Sequence, residues 1–360
     1  MSQLMLDIIP SDTLFNASSL FLNKSFEFYA QNILDSPSKN LNEDLLQKIN
    51  LISKRNGFKD NPLNWLGLSF LKNSRLNENS SKQLFDHDFL DQLVASEPGK
   101  SGIDFYKKEV NGFVYEIPLN ISEKLNHTFE GWTTFQNLKE YEQWDKLFSK
   151  SLDLIKSIDN DILPEINKLI KYILVLYSND SAHGSMSPQN LTGTVLLPDT
   201  KDHTLIAECL VHEALHQYLY RLEHLSPLFV GDNGLKEIYY SPWKEEPRPL
   251  IMVLHGAFVF AGVVLFYYEL LKKKIVPEFT DEIEFRIANR ITQIEIALEV
   301  LSEKNHLTEF GNSLLNILID YMKEVKTNVT INESLIENQI YHHKKLYSTL
   351  DYLHVSTQKY

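Results

Sequence analysis

The chain has one cysteine, Cys209, in 360 residues. No intrachain disulfide can form, and zinc modules built from several thiolates are excluded. Such a sequence suits a reducing cytoplasm, which is its expected location. Positive charge is also in short supply: 35 Lys and Arg stand against 48 Asp and Glu, for a formal charge of -13. Phosphate backbones repel so acidic a surface, so nucleic acid is not an expected partner. Pro/Gly/Ser-rich linkers, internal repeats and low-complexity segments are missing, and no composition break marks a firm domain boundary. Met1 to Phe15 carries Asp7 and Asp12 but no basic region leading into an apolar run, so no secretory signal is expected.

What the chain does have is the balance of a globular protein, with 43% hydrophobic and 23% charged residues. Its length suffices for one large domain or two closely joined ones. The strongest chemical pattern is His212-Glu213-Ala-Leu-His216, set in a run from Ala207 to Tyr220 without Pro or Gly. Four residues advance a helix by just over one turn, so both imidazoles leave the same face and can grip one metal ion, with Glu213 beside the open coordination position. Leu205, Ile206, Cys209, Leu210, Leu215 and Leu219 supply the apolar stripe that buries such a helix.

A third ligand must come from elsewhere. His255 lies in an apolar run with Val253, Leu254, Phe258, Val259 and Val263. A histidine there is ordinarily a satisfied core residue, but two ligands seeking a third change that weighting. Glu237 is the rival, because one large class of zinc peptidases takes a glutamate from a later helix, and Glu245 and Glu246 are further carboxylate candidates. The compact pattern with Gly and His three and six residues after the second histidine is excluded, since Leu219 and Leu222 stand there.

Along the chain, spaced apolar residues predict helices at Ser11 to Leu34, Asn42 to Asn56 and Ser81 to Ala95. Asn111-Gly112 predicts a turn into a short strand at Phe113 to Ile117. Trp65, Trp132 and Trp144 could line a peptide groove, though core positions are the plainer reading. A helical start at Ile166 gives way to the β-compatible run Tyr172 to Tyr177, and a second strand follows at Gly193 to Leu197. The polar loop between them, with His183, is placed to form a substrate lip beside an open strand edge.

Beyond the metal helix, the proline-rich stretch Ile238 to Pro249 predicts a stiff, non-helical connection. Pro249 then opens a long helix to about Leu271, which has the length of a membrane span but, with Gly256 and Gly262, suits a close-packed core helix better. A helix over Asp281 to Leu301 sets Glu282, Arg286 and Arg290 at four-residue spacing, either as a solvated ladder or as an inward clamp for a dicarboxylate. Further helices begin at Thr308 and Ile331, and His342 and His343 read as surface residues. The expected fold is mainly α with a few short strands and a metal site between the His212–His216 helix and a following long helix. Residues 1–165 form a helical region able to hold a peptide, 166–330 the metal-binding catalytic domain, and 331–360 a C-terminal helix.

From His212-Glu-Ala-Leu-His216 through Tyr239-Tyr-Ser-Pro-Trp-Lys-Glu-Glu-Pro-Arg-Pro249 to Leu254-His-Gly-Ala-Phe258, the chain resembles the HExxH-motif peptide-modification family encoded beside ribosomally made peptides. Arg286, Arg290 and Leu307-Thr-Glu-Phe-Gly311 also look like that family's C-terminal helices, and the resemblance spans roughly Ile170 to Ile319. The resemblance implies an iron(II)- and 2-oxoglutarate-dependent oxidoreductase that hydroxylates a side-chain β-carbon of a ribosomal precursor peptide, its partner. Under it, His212, His216 and His255 hold the metal, Glu213 orients a ligand or substrate amide, and Arg248, Arg286 or Arg290 receives the distal carboxylate of 2-oxoglutarate. His255 as third ligand would depart from the usual two-histidine, one-carboxylate iron triad. The residues alone leave two other readings open: a zinc metallopeptidase with Glu213 as general base, and a noncatalytic, metal-stabilised peptide-binding protein.

Overall fold

The computed structural model describes residues 105–118, 133–134, 138–177, 184–189, 193–236, 238–244, 246–277, 280–303, 305–328 and 333–350. The three helices expected before residue 100, Trp65, Trp132 and His183 lie outside these residues, as do Glu237 and Glu245. What is described is mostly helical with a few short strands. It divides into two compact units, one holding the described residues of 15–153 and 166–210, the other those of 154–165 and 211–350.

The first unit is built on a sheet. Strands β1 (Phe105–Val110) and β2 (Phe113–Pro118) form a hairpin whose two turn residues, Asn111 and Gly112, have φ of 53° and 81°. Positive φ at both is what a type I′ turn demands, and Asn-Gly is the pair that adopts it most readily. Strand β4 (Tyr172–Tyr177) is central. It meets β2 in parallel at Tyr172, the short β3 (Thr133–Thr134) antiparallel at Leu176 and Tyr177, and the wholly buried β5 (Thr194–Pro198) in parallel along its length. Both strands read as continuous apolar runs because parallel strands are covered on two faces.

The edge of β5 is less open than the sequence suggested. Met186, from the preceding loop, exchanges both backbone hydrogen bonds with Leu196, at 3.0 and 2.8 Å, so that part of the edge is already paired. Helix α1 (Leu138–Ile158) supplies Trp144 and Phe148, stacked at 4.7 Å in the core. The Trp144 indole N–H donates to the Pro198 carbonyl at 3.3 Å, which settles it as a core residue. After helix α2 (Ile162–Leu169), helix α3 (His203–Leu225) begins on Asp202, whose carboxylate accepts from the backbone N–H groups of Thr204 and Leu205 at 2.8 and 3.2 Å. That cap satisfies donors that the first helical turn leaves without intrahelical partners.

The second unit takes the rest of α3 and is helical. A single turn, α4 (Asn233–Lys236), leads into β6 (Ile238–Tyr239), which pairs antiparallel with β7 (Arg248–Pro249) across the proline-rich connection. Pro249 is the N-cap of α5 (Leu250–Lys272), as its fixed φ and missing N–H favour. Helix α5 is long and apolar enough to cross a membrane, yet 78% of its most apolar window is buried within the protein. It ends in a Schellman arrangement: Lys274 has φ of 52°, Ile275 N–H donates to Leu270 O at 3.1 Å and Lys274 N–H to Leu271 O at 3.0 Å. Its main partner is α6 (Thr280–Glu303), followed by α7 (Glu309–Asn328).

Glycine explains two of the motifs. A Cβ on Gly256 would come within 2.5 Å of the Trp243 ring, and one on Gly262 within 2.1 Å of Leu215 on α3. The Leu254-His-Gly-Ala-Phe258 stretch thus lets an indole lie on α5, and Gly262 lets α3 and α5 pass closely. At Leu307-Thr-Glu-Phe-Gly311 the Thr308 hydroxyl caps α7, accepting from Gly311 N–H at 3.0 Å and donating to Pro227 O at 2.7 Å. A Cβ on Gly311 would stand 2.2 Å from the Leu228 carbonyl oxygen, a backbone atom that cannot swing aside. Gly311→Ala is therefore expected to cost about 1–3 kcal/mol of stability, measured as a lower urea midpoint at unchanged slope.

The C-terminal helix α8 (Glu333–Leu350) corrects one expectation. His342 is exposed, but His343 is buried, and its Nδ1 shares a hydrogen bond of 2.6 Å with the Tyr240 hydroxyl. Burial first, then the neighbouring His342, pushes the His343 pKa down. Tyr240 belongs to the Tyr-Tyr-Ser-Pro-Trp stretch, so this helix steadies the loop that carries Trp243.

Candidate functional site

On α3 the period of 3.6 carries His212, His216, Tyr220 and Glu223 along one stripe, at successive separations of four, four and three residues. Around that stripe the helix is buried almost on every side, with Val211, Glu213, Ala214, Leu215, Gln217, Tyr218, Leu219, Arg221 and Leu222 all inaccessible. The histidines keep partial exposure on the remaining face. They point at α5, which supplies His255 and Phe260.

The three imidazoles are neighbours. Ring centroids of His212 and His216 are 4.9 Å apart, and those of His216 and His255 are 5.6 Å apart. Tyr220 lies nearly parallel to His216 at 5.9 Å and tilted to His255 at 5.2 Å. His216 and His255 face each other through their Nδ1 atoms at 3.4 Å, while His255 Nε2 is 2.8 Å from Glu223 Oε1. A carboxylate oxygen only accepts, so that bond places a proton on Nε2 of His255.

Burial keeps His212 and His216 in their unprotonated form. The pKa of His212 falls from 6.5 to about 3, through burial and then the positive charge of Arg290. His216 is lowered well below 6.5 by burial and then by its two neighbouring histidines. The Tyr220 hydroxyl is pushed up by burial, with Glu213 and Glu223 adding to it, so it stays protonated. The imidazoles of His212 and His216 therefore each keep a lone pair throughout the neutral range.

The donor set suits a divalent ion of the zinc, iron or copper type. Two nitrogens at tetrahedral positions about an ion at ~2.0–2.1 Å are separated by about 3.3–3.4 Å, which is the distance between Nδ1 of His216 and Nδ1 of His255. Closure by a third donor is not formed: among the described residues no three His, Cys, Asp or Glu side chains are grouped so as to hold an ion. His212 lies edge-on to Phe260 at 4.8 Å.

Phe260 joins the histidines to a cation. The Arg290 guanidinium lies 4.0 Å above its ring, and Trp243 stacks on it at 5.5 Å and 17°. Nη1 of Arg290 donates to Gln293 Oε1 at 2.9 Å, and Gln293 Nε2 donates to Pro242 O at 2.9 Å. The proline-rich connection, α5 and α6 thus hold Arg290 beside His212. The other two arginines fare differently. Arg286 binds Glu282 at 2.7 Å and donates to the Tyr267 hydroxyl at 3.1 Å, so the four-residue ladder splits into a solvated pair and an inward cation. Arg248 is half-buried on β7.

Of the carboxylate candidates for a third ligand, Glu246 is exposed, and His255 is the residue beside His216. Glu213 is buried at 2% exposure. Sequence reasoning missed Tyr220, Glu223, Phe260, Trp243 and Gln293. Tyr220 and Glu223 had a signal, because they prolong the histidine stripe; the others come from three separate segments. No protein-family model matches the chain, and no curated protein matches it.

Proposed function

We propose that the chain is an iron(II)- and 2-oxoglutarate-dependent hydroxylase that oxidises a side-chain β-carbon of a ribosomally made precursor peptide in the cytoplasm. The observation that carries this reading is Arg290, a planar cation held over Phe260 next to His212. A dicarboxylate whose keto-acid end binds metal needs a cation for its distal carboxylate, and arginine's fork matches that group with two parallel bonds. A hydrolytic zinc site has no such need.

His212, His216 and His255 would hold the ion as uncharged donors, leaving its double positive charge to the dianionic cosubstrate. Bound iron(II) would supply the coupling of 2-oxoglutarate and O2 to C–H hydroxylation, giving succinate, CO2 and a hydroxylated peptide that retains one oxygen atom. The chain's own work is to bind and to exclude. Arg290 fixes the distal carboxylate, Phe260 and Trp243 wall the site from water, and Glu213 orients a ligand or a substrate amide. The same Glu213, buried beside the histidine pair, supports the second reading, a zinc peptidase in which it takes a proton from the attacking water.

Anaerobic addition of iron(II) and then 2-oxoglutarate separates the two. A weak visible charge-transfer band that His212→Ala and His255→Ala abolish, followed by a precursor peptide gaining one oxygen, is the expected result. No band, with tight zinc retention and peptide cleavage lost in Glu213→Gln, would replace the hydroxylase by the peptidase.

A further inference from the structure

We infer that Glu223 is a positioning residue that sets the tautomer and orientation of His255 for metal binding, an assignment that rests on the histidine cluster being a metal site. Glu223 is seven residues beyond His216 on α3, two turns along the same stripe, whereas His255 is on α5. Their side chains are 13% and 3% exposed, and Nε2 of His255 meets Oε1 of Glu223 at 2.8 Å. A carboxylate in so sheltered a place binds a hydrogen-bond donor more strongly than it would in water.

The consequence is electronic. With the proton fixed on Nε2, a neutral His255 has its lone pair on Nδ1, the atom that faces Nδ1 of His216 at 3.4 Å. In the metal-free protein that lone pair accepts the Nδ1 proton of His216, and a cation bound between the two rings would take that proton's place. Glu223 thereby turns an ordinary core histidine into a ligand aimed at its neighbour. A carboxylate behind a ligating imidazole also raises the ring's basicity and holds its plane, and losing such a partner costs ~10–100-fold in metal affinity. Tyr220, packed against both rings, keeps that plane from turning.

The test uses the full chain with zinc alone as the probe, so it does not depend on turnover. Zinc affinity is measured by chelator competition for the wild type, Glu223→Ala, Glu223→Gln and His216→Ala, and histidine tautomers are read in the metal-free proteins by 15N spectra. Glu223→Ala is expected to lose ~10–100-fold in affinity and to release His255 from its single Nε2-protonated tautomer. Glu223→Gln keeps an acceptor oxygen, so it should keep the tautomer and lose less, and it also serves if the alanine variant folds poorly. Unchanged zinc affinity in both variants, with His216→Ala weakened, overturns the role of Glu223 alone. A wild type that binds zinc no better than His216→Ala overturns the metal site and this role together.

Discussion

His216→Ala is expected to weaken divalent-metal affinity by more than about a hundredfold and to remove turnover with it, since losing an outer partner alone costs up to about that much. The size of the effect follows from position. His216 is the middle imidazole, 4.9 Å from His212 and 5.6 Å from His255 by ring centroids, and it owns one of the two facing Nδ1 atoms. Its removal leaves His212 and His255 with no donor linking them. The ring is also stacked on Tyr220, so some packing is lost. Thermal unfolding of the metal-free protein separates that loss from the loss of a ligand: a large fall in affinity at a similar metal-free midpoint identifies a ligand. Equal zinc affinity in His216→Ala and the wild type would leave the three histidines as core residues.

Arg290→Ala is expected to raise the apparent dissociation constant for 2-oxoglutarate by about 30- to 1000-fold, the ~2–4 kcal/mol range for truncating one side of a sheltered charged contact. Arg290→Lys should recover only part of this, because an ammonium keeps the charge but not the flat fork that lies on Phe260. Arg286→Ala is the comparison. Its guanidinium is committed to Glu282 and the Tyr267 hydroxyl, a partly exposed pair worth ~0–1 kcal/mol, so cosubstrate affinity should change less than about fivefold. Titration of the iron(II) charge-transfer band with 2-oxoglutarate reads all three. Equal loss in Arg286→Ala and Arg290→Ala would point to general charge in place of a defined anchor. No dependence on 2-oxoglutarate in any protein would favour the peptidase.

The two results bear on different parts of the proposal. Metal affinity reports on the imidazoles whatever ion is native, while the arginine series reports on the cosubstrate and so on the class of reaction. A protein that passes the first and fails the second is a metal protein of another kind.

Much of this architecture was legible in the amino-acid order because it depends on local rules. The Asn111-Gly112 turn, the change from helix to strand between Leu169 and Tyr172, the start of α5 after Pro249 and the cap at Thr308 each follow from a few adjacent residues. The shared face of His212 and His216 is equally local, since the helix period sets it. Tertiary structure alone brought His255 to His216, chose Arg290 over Arg286 as the inward cation, placed Glu223 behind His255 and buried His343 against Tyr240. Those pairs are separated by 32 to 103 residues where the hydrogen bonds define them. Periodicity tells which face of a helix is apolar; it does not tell which other helix that face will meet. Here a close passage of α3 and α5 at Gly262 made that decision, and with it the chemistry that the histidines can share.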